Sequence, residues 1–187
     1  MPYHEREPAG PEPAEATMRM TIPLALLLGL LGPARPTSAE CLDYDARLHW
    51  AGRALVGGAI EDVATDAQHA YVAVTAVGLK VLDLDDPDFP SYLATLARAG
   101  GGWRVVADWP RVYLLSTAGA PRLDVIDVTV PSAPVLAGSR ALDAGALDLA
   151  VTGHRAYVVR AFGGTGELML VDATNPASMT VAARRPL

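Results

Sequence analysis

The chain has 187 residues, 51% apolar, 19% charged and 6% aromatic, the balance of a globular protein and not of a disordered or membrane-spanning one. Its 15 Lys and Arg against 21 Asp and Glu give a net charge of -6, which lacks the basic footprint of a nucleic-acid binder. A single cysteine, Cys41, excludes an intrachain disulfide and any cysteine-built metal site.

Residues 1–17 are rich in Pro and Glu with no apolar period, and are predicted to be disordered. Met18, Arg19 and Met20 then introduce Ile22 to Leu31, a run broken by Pro23 and Gly29 and followed by small and polar residues up to Ala39. That layout predicts a secretory signal over 18–39, cleaved after Ala39. The apolar run is about half the roughly 20 residues that a membrane-spanning helix needs, so no stable span is expected after cleavage. Acidic residues ahead of Met18 do not suit the basic start of such a signal, so translation is expected to begin at Met18 or Met20. Cys41 would then stand second in the mature chain. Glu40 occupies the place where a lipid-acceptor cysteine needs Gly, Ala or Ser, which favours an unpaired thiol or an intermolecular bridge.

From Glu61 onward one pattern recurs three times. Tyr71, Tyr113 and Tyr157 are separated by 42 and 44 residues, inside the runs HAYVAVT, RVYLLST and RAYVVRA. Asp83, Asp127 and Asp172 repeat the spacing, closing LKVLD, LDVID and LMLVD. Pro87, Pro131 and Pro176 follow each aspartate by four residues. Within the first copy, four strand-length runs stand out: Asp62 to Thr65, His69 to Thr75, Leu79 to Leu84 and Ser91 to Leu96. Asp66, Gly78 and the group Asp86, Pro87 and Pro90 separate them with turn chemistry. The third run carries apolar groups on both faces, so both faces must be covered by neighbouring sheets. The reading is all-β: four-stranded antiparallel blades of a β-propeller.

The runs LKVLD, LDVID and LMLVD, each preceded by AYVAV, VYLLS or AYVVR, resemble the LVIVD repeat of bacterial extracytoplasmic proteins. The resemblance covers about Leu48 to Ala183 and implies a propeller fold and an exported, secreted or periplasmic location, but no particular chemistry. The second copy departs from the others, with Arg104 in place of Asp62 and Asp148, and Trp109-Pro110 in its first turn. The mature region 40–187 is divided into blades over about 61–97, 103–140 and 147–183, with the outer strand of a preceding blade at 48–52. Closed propellers have about 4 to 8 blades, so this is an open arc. An apolar face is expected at each end, predicting self-association, assembly from several chains or a truncated gene product.

Asp62, Arg104 and Asp148 open the first strands, which line the central channel of a propeller. They are the candidate ligand-binding residues, at the channel mouth. Asp83, Asp127 and Asp172 are assigned to turns, each starting a connection through Pro87, Pro131 or Pro176. Asp83, Asp85, Asp86 and Asp88 lack the central Gly and closing Glu of a calcium loop, and no metal site, cofactor or catalytic residue is assigned. His69 and His154 are expected in surface turns, and Trp50 and Trp103 in packing between blades, with sugar stacking as the functional alternative. Two functions follow. The first is an exported, non-enzymatic module that binds a protein or glycan partner or serves as a scaffold. The alternative is an extracytoplasmic hydrolase or lyase with acids gathered at the channel.

Overall fold

Short β-branched runs punctuated by Gly, Asp and Pro build three sheets in the computed structural model, which describes residues 52–187. The leader, the signal segment, Cys41 and residues 48–51 lie outside that range. The first sheet holds β1 (Ile60–Thr65), β2 (His69–Val74), β3 (Gly78–Asp83) and β4 (Ser91–Ala97). The second holds β5 (Arg104–Asp108), β6 (Arg111–Ser116), β7 (Arg122–Asp127) and β8 (Val135–Ala141). The third holds β9 (Ala146–Thr152), β10 (Arg155–Phe162), β11 (Thr165–Asp172) and β12 (Thr180–Pro186). Each sheet is an antiparallel meander in chain order, a blade of a partial propeller. β12 runs on past Ala183 because Arg184 is held by Asp143 at 2.6 Å and Glu167 at 3.2 Å, and because Leu187 N–H donates to the Gly166 carbonyl at 2.9 Å.

The three blades share one register. Tyr71 faces Val81, Tyr113 faces Val125 and Tyr157 faces Leu170 across the second and third strands. Blades then stack front to back. Tyr71, Ala73, Leu79 and Val81 of the first blade pack on Val112, Leu114 and Ile126 of the second. Tyr113, Leu115, Leu123 and Val125 of the second pack on Ala156, Val158, Met169 and Val171 of the third. All fifteen of these side chains are fully buried, and each large one contributes about 1.5–3 kcal/mol by leaving water. That burial explains why third strands are apolar on both faces.

The two ends of the arc are unlike. On the first blade, Ala70, Val72, Val74 and Leu82 are buried, with Ala54, Val56, Val77 and Leu84 packed against them. The expected exposed face is therefore not found at this end, because the segment ahead of β1 lies on it. On the third blade, Tyr157, Val159, Leu168 and Leu170 remain only partly buried.

One contact differs from seam to seam. The residue after a fourth strand donates its N–H to the residue before the third strand's start: Arg98 to Val77 and Leu142 to Pro121, each at 2.8 Å. Arg98 then reaches Asp124 in β7 of the next blade, with Nε to Oδ2 at 2.6 Å and the carboxylate fully buried. Leu142 packs against the cluster holding Met169, which stands in β11 where Asp124 stands in β7. On the first blade the same position is Lys80, whose Nζ donates to the carbonyl of Val56. The two seams are thus ionic and apolar, and the back of the first blade is cationic.

Candidate functional site

The innermost strands bring Asp62, Arg104 and Asp148 to one position of the repeat. They pair with Ala73, Leu115 and Val159, each two residues beyond the repeat tyrosine. β1 packs beside β5, and β5 beside β9, so the three side chains form a row along the inner edge. Each aspartate makes one local bond and one across a blade seam. Asp62 accepts from Val63 N–H at 2.9 Å through Oδ1 and from Val105 N–H, in the next blade, at 3.0 Å through Oδ2. Asp148 Oδ1 accepts from Leu149 N–H at 2.9 Å and from Arg104 Nε at 3.3 Å. Val105 N–H is available to Asp62 because its own predecessor, Arg104, is no acceptor.

Trp103 completes the row. Its Nε1 donates to the Leu147 carbonyl at 2.8 Å, and the Arg104 guanidinium lies 4.8 Å from the ring centroid. The ring also packs against the core between the second and third blades, the ordinary role expected of it. Arg104 and Asp148 keep 32% and 66% of their side chains exposed, so the pair contributes at most about 1 kcal/mol to stability and stays open to a ligand. Asp62, with both oxygens taken by backbone N–H groups, is poorly placed as a general base. Among the described residues, no three His, Cys, Asp or Glu side chains converge to hold a metal ion.

The repeat aspartates lie elsewhere, after the third strands. Asp83, Asp127 and Asp172 each accept from the backbone N–H two residues on, at 2.8, 2.8 and 3.0 Å. The Thr129 hydroxyl and N–H hold the Asp127 carboxyl below its ordinary value, and the Thr174 N–H and hydroxyl do the same for Asp172. Asp86 caps Asp88 N–H at 3.0 Å. Pro87 and Pro131 follow in these connections, and Pro176 opens a short 3-10 turn, Pro176–Ser178, capped by Asn175.

Other polar groups were not legible as a set. Asp66 Oδ1 accepts from Gln68 N–H at 2.8 Å and His69 N–H at 2.7 Å and lies 3.2 Å from His69 Nδ1, while Oδ2 accepts the Tyr71 hydroxyl at 2.8 Å. Burial alone would raise the Asp66 carboxyl, but these donors outweigh it and hold it low. Burial and the bond to Asp66 push the Tyr71 hydroxyl well above its usual range. His69, only 18% exposed, is therefore not the surface histidine that was expected. In the second blade the same spacing, Asp108 to Tyr113, leads instead to His154 of the third blade, whose Nδ1 lies 3.3 Å from Tyr113 Oη and 3.6 Å from Asp108 Oδ2. The signal was the five-residue step from a turn aspartate to the repeat tyrosine.

A profile of the LVIVD repeat matches residues 57–95, 118–141 and 144–184, more than half of the chain. The chain belongs to the LVIVD-repeat family. The profile skips β5 and β6 of the second LVIVD blade, where Arg104 and the cis Trp109-Pro110 turn depart from the pattern. Among solved structures it is similar to AztD from Citrobacter koseri, at 15% identity and TM-score 0.48 over 68% of this chain and 33% of that one. The apo form of the same protein gives 17% and 0.50, over 72% and 35%. A hypothetical selenium-binding protein from Sulfolobus tokodaii gives 12% and 0.47, over 64% and 38%. At these identities the likeness is one of propeller-type fold alone. The LVIVD chain spans a little over a third, or less, of the length of each. No curated protein matches it. Among the described residues no helix is long and apolar enough to cross a membrane.

Proposed function

We propose that this LVIVD protein is an exported, non-enzymatic binding module, acting outside the cytoplasm, whose protein or glycan partner is met at the inner-strand ends. One observation carries the reading. Inner-strand polar groups are spent on tying blades together, and what they leave open is a fixed patch of indole, guanidinium and carboxylate at Trp103, Arg104 and Asp148. Such a patch offers a partly exposed guanidinium and an open carboxylate oxygen held beside an indole, which suits recognition of a polar partner. The signal-like segment over 18–39 and the family's extracytoplasmic character support export. The enzymatic alternative requires unoccupied acids, and Asp62 is not one.

The test is a glycan array, probed with the purified protein and with Arg104→Ala and Trp103→Ala. Binding by the native chain and its loss in both variants is the expected result. Turnover of glycoside or lactone substrates, abolished by Asp148→Ala, would overturn the reading in favour of the hydrolase or lyase.

A further inference from the structure

The front face of the third blade repeats, position by position, the faces that the first two blades bury. Tyr157, Val159, Leu168 and Leu170 correspond to Tyr71, Ala73, Leu79 and Val81, and to Tyr113, Leu115, Leu123 and Val125. The earlier two sets are fully buried, each under the back of another blade, while the third set stays partly exposed. Leu187 stands where Arg98 and Leu142 stand, shown by its N–H bond to Gly166, and is 76% exposed. At the inner edge Asp148 Oδ2 has no hydrogen-bond partner among the described residues, whereas Asp62 Oδ2 takes an N–H from the next blade. We infer that this face is a docking site for one further four-stranded blade of the LVIVD type, and that it selects which blade it takes.

Two positions on the incoming blade decide the fit. The first is the third-strand residue equivalent to Lys80, Asp124 and Met169, which must meet Leu187 and so must be apolar, as Met169 is at the seam with Leu142. The second is the inner-strand residue equivalent to Asp62 and Arg104, which must carry no acid. A non-acidic residue there frees the following N–H for Asp148, as Arg104 frees Val105 N–H for Asp62. A second copy of this chain fails on both counts. Its first blade would set Asp62 against Asp148, opposing two carboxylates, and its back, where Lys80 is held to the Val56 carbonyl, is already covered by the segment that carries Ala54 and Val56. The occupant is therefore a blade with an apolar third-strand key and a basic or neutral inner residue.

The full chain extended after Leu187 by a copy of residues 143–187, with Asp148→Arg in the copy, supplies that blade. Binding of an apolar dye, size on gel filtration and the thermal midpoint are read against the unextended chain. Dye fluorescence should stay level, because the docked copy covers one such face and presents another, and the midpoint should rise by about 5 °C, in a monomer. Met169→Lys in the copy should raise the dye signal and abolish the rise in midpoint, and Leu187→Asp added to that variant should reverse both effects through the charge pairing seen at Arg98 and Asp124. An equal gain from the Lys form, no rescue by Leu187→Asp, or a copy that stays unfolded in its Met form would overturn the proposal. So would an unextended chain that dimerises with loss of dye binding, since a second copy would then be the occupant.

Discussion

The seam between the first two blades is held by a buried ion pair that the neighbouring seam does without, and exchanging one for the other measures what the pair contributes. Asp124 is fully buried and its Oδ1 has no partner, so the 2.6 Å bond from Arg98 Nε to Oδ2 is its main compensation. Arg98→Leu removes that compensation and leaves a carboxylate in an apolar seam. The expected loss is about 3–5 kcal/mol, or roughly 10 °C or more in the unfolding midpoint for a domain of this size. Asp124→Met alone should cost about 1–3 kcal/mol, since Arg98 keeps a route to water. The double variant recreates the contact of Leu142 with the Met169 cluster, and should return to within about 1 kcal/mol of the native chain or exceed it. Urea unfolding of the four proteins, followed by tryptophan fluorescence, gives the coupling energy directly. If the double variant loses the sum of the two single losses, the pair is not a unit and the reasoning is wrong.

Gly138 brings β8 against the third blade, and a Cβ there would sit 1.9 Å from the Pro176 carbonyl oxygen. Gly138→Ala should therefore cost about 1–3 kcal/mol by urea titration, although alanine is better than glycine in a strand. Tyr71→Phe removes the bond to Asp66 and should cost about 0.5–1.5 kcal/mol. Because the fold raises the Tyr71 hydroxyl above the ordinary tyrosine value of about 10, it favours the neutral form. The associated stability is complete below about pH 10 and lost as pH climbs beyond it. Tyrosinate absorbance should show a late-ionising component, and Tyr71→Phe should remove one residue's share of it while leaving that of Tyr113, which burial also raises. Asp66 is shifted the other way, so its contribution is complete above about pH 4 and lost as acid carries pH through the lower folded value. Asp66→Asn should flatten the acid limb of a plot of stability against pH.

The fold was open to reading because its signals are redundant and local. Each strand is short and β-branched, each turn carries Asp, Gly or Pro, and three copies in one phase average out any single departure. The apolar third strands state their two-sided burial outright, since Leu79 and Val81 occupy one face and Leu82 and Leu84 the other. What the pattern could not reveal was the asymmetry of the arc. Nothing in the run from Gly52 to Ala59 alternates as a strand, yet Ala54 and Val56 lie on the first blade because Thr75 N–H bonds the Ala59 carbonyl at 2.9 Å and Lys80 holds Val56. Such contacts join residues far apart in the chain and leave no periodic trace.

The inner-strand row shows where sequence reasoning stops. Equivalence of Asp62, Arg104 and Asp148 was legible from spacing alone, because a repeat fixes position. Their roles were not, since a role depends on what the neighbouring blade supplies. Arg104 stands as a departure from the acids at Asp62 and Asp148. In the structure it frees Val105 N–H for Asp62 behind it and gives Asp148 a cation ahead of it. Three acids at that position would leave neighbouring carboxylates facing one another with no donor between them. A single basic residue in the middle blade resolves both seams, so the irregular copy is the one that lets the regular ones pack.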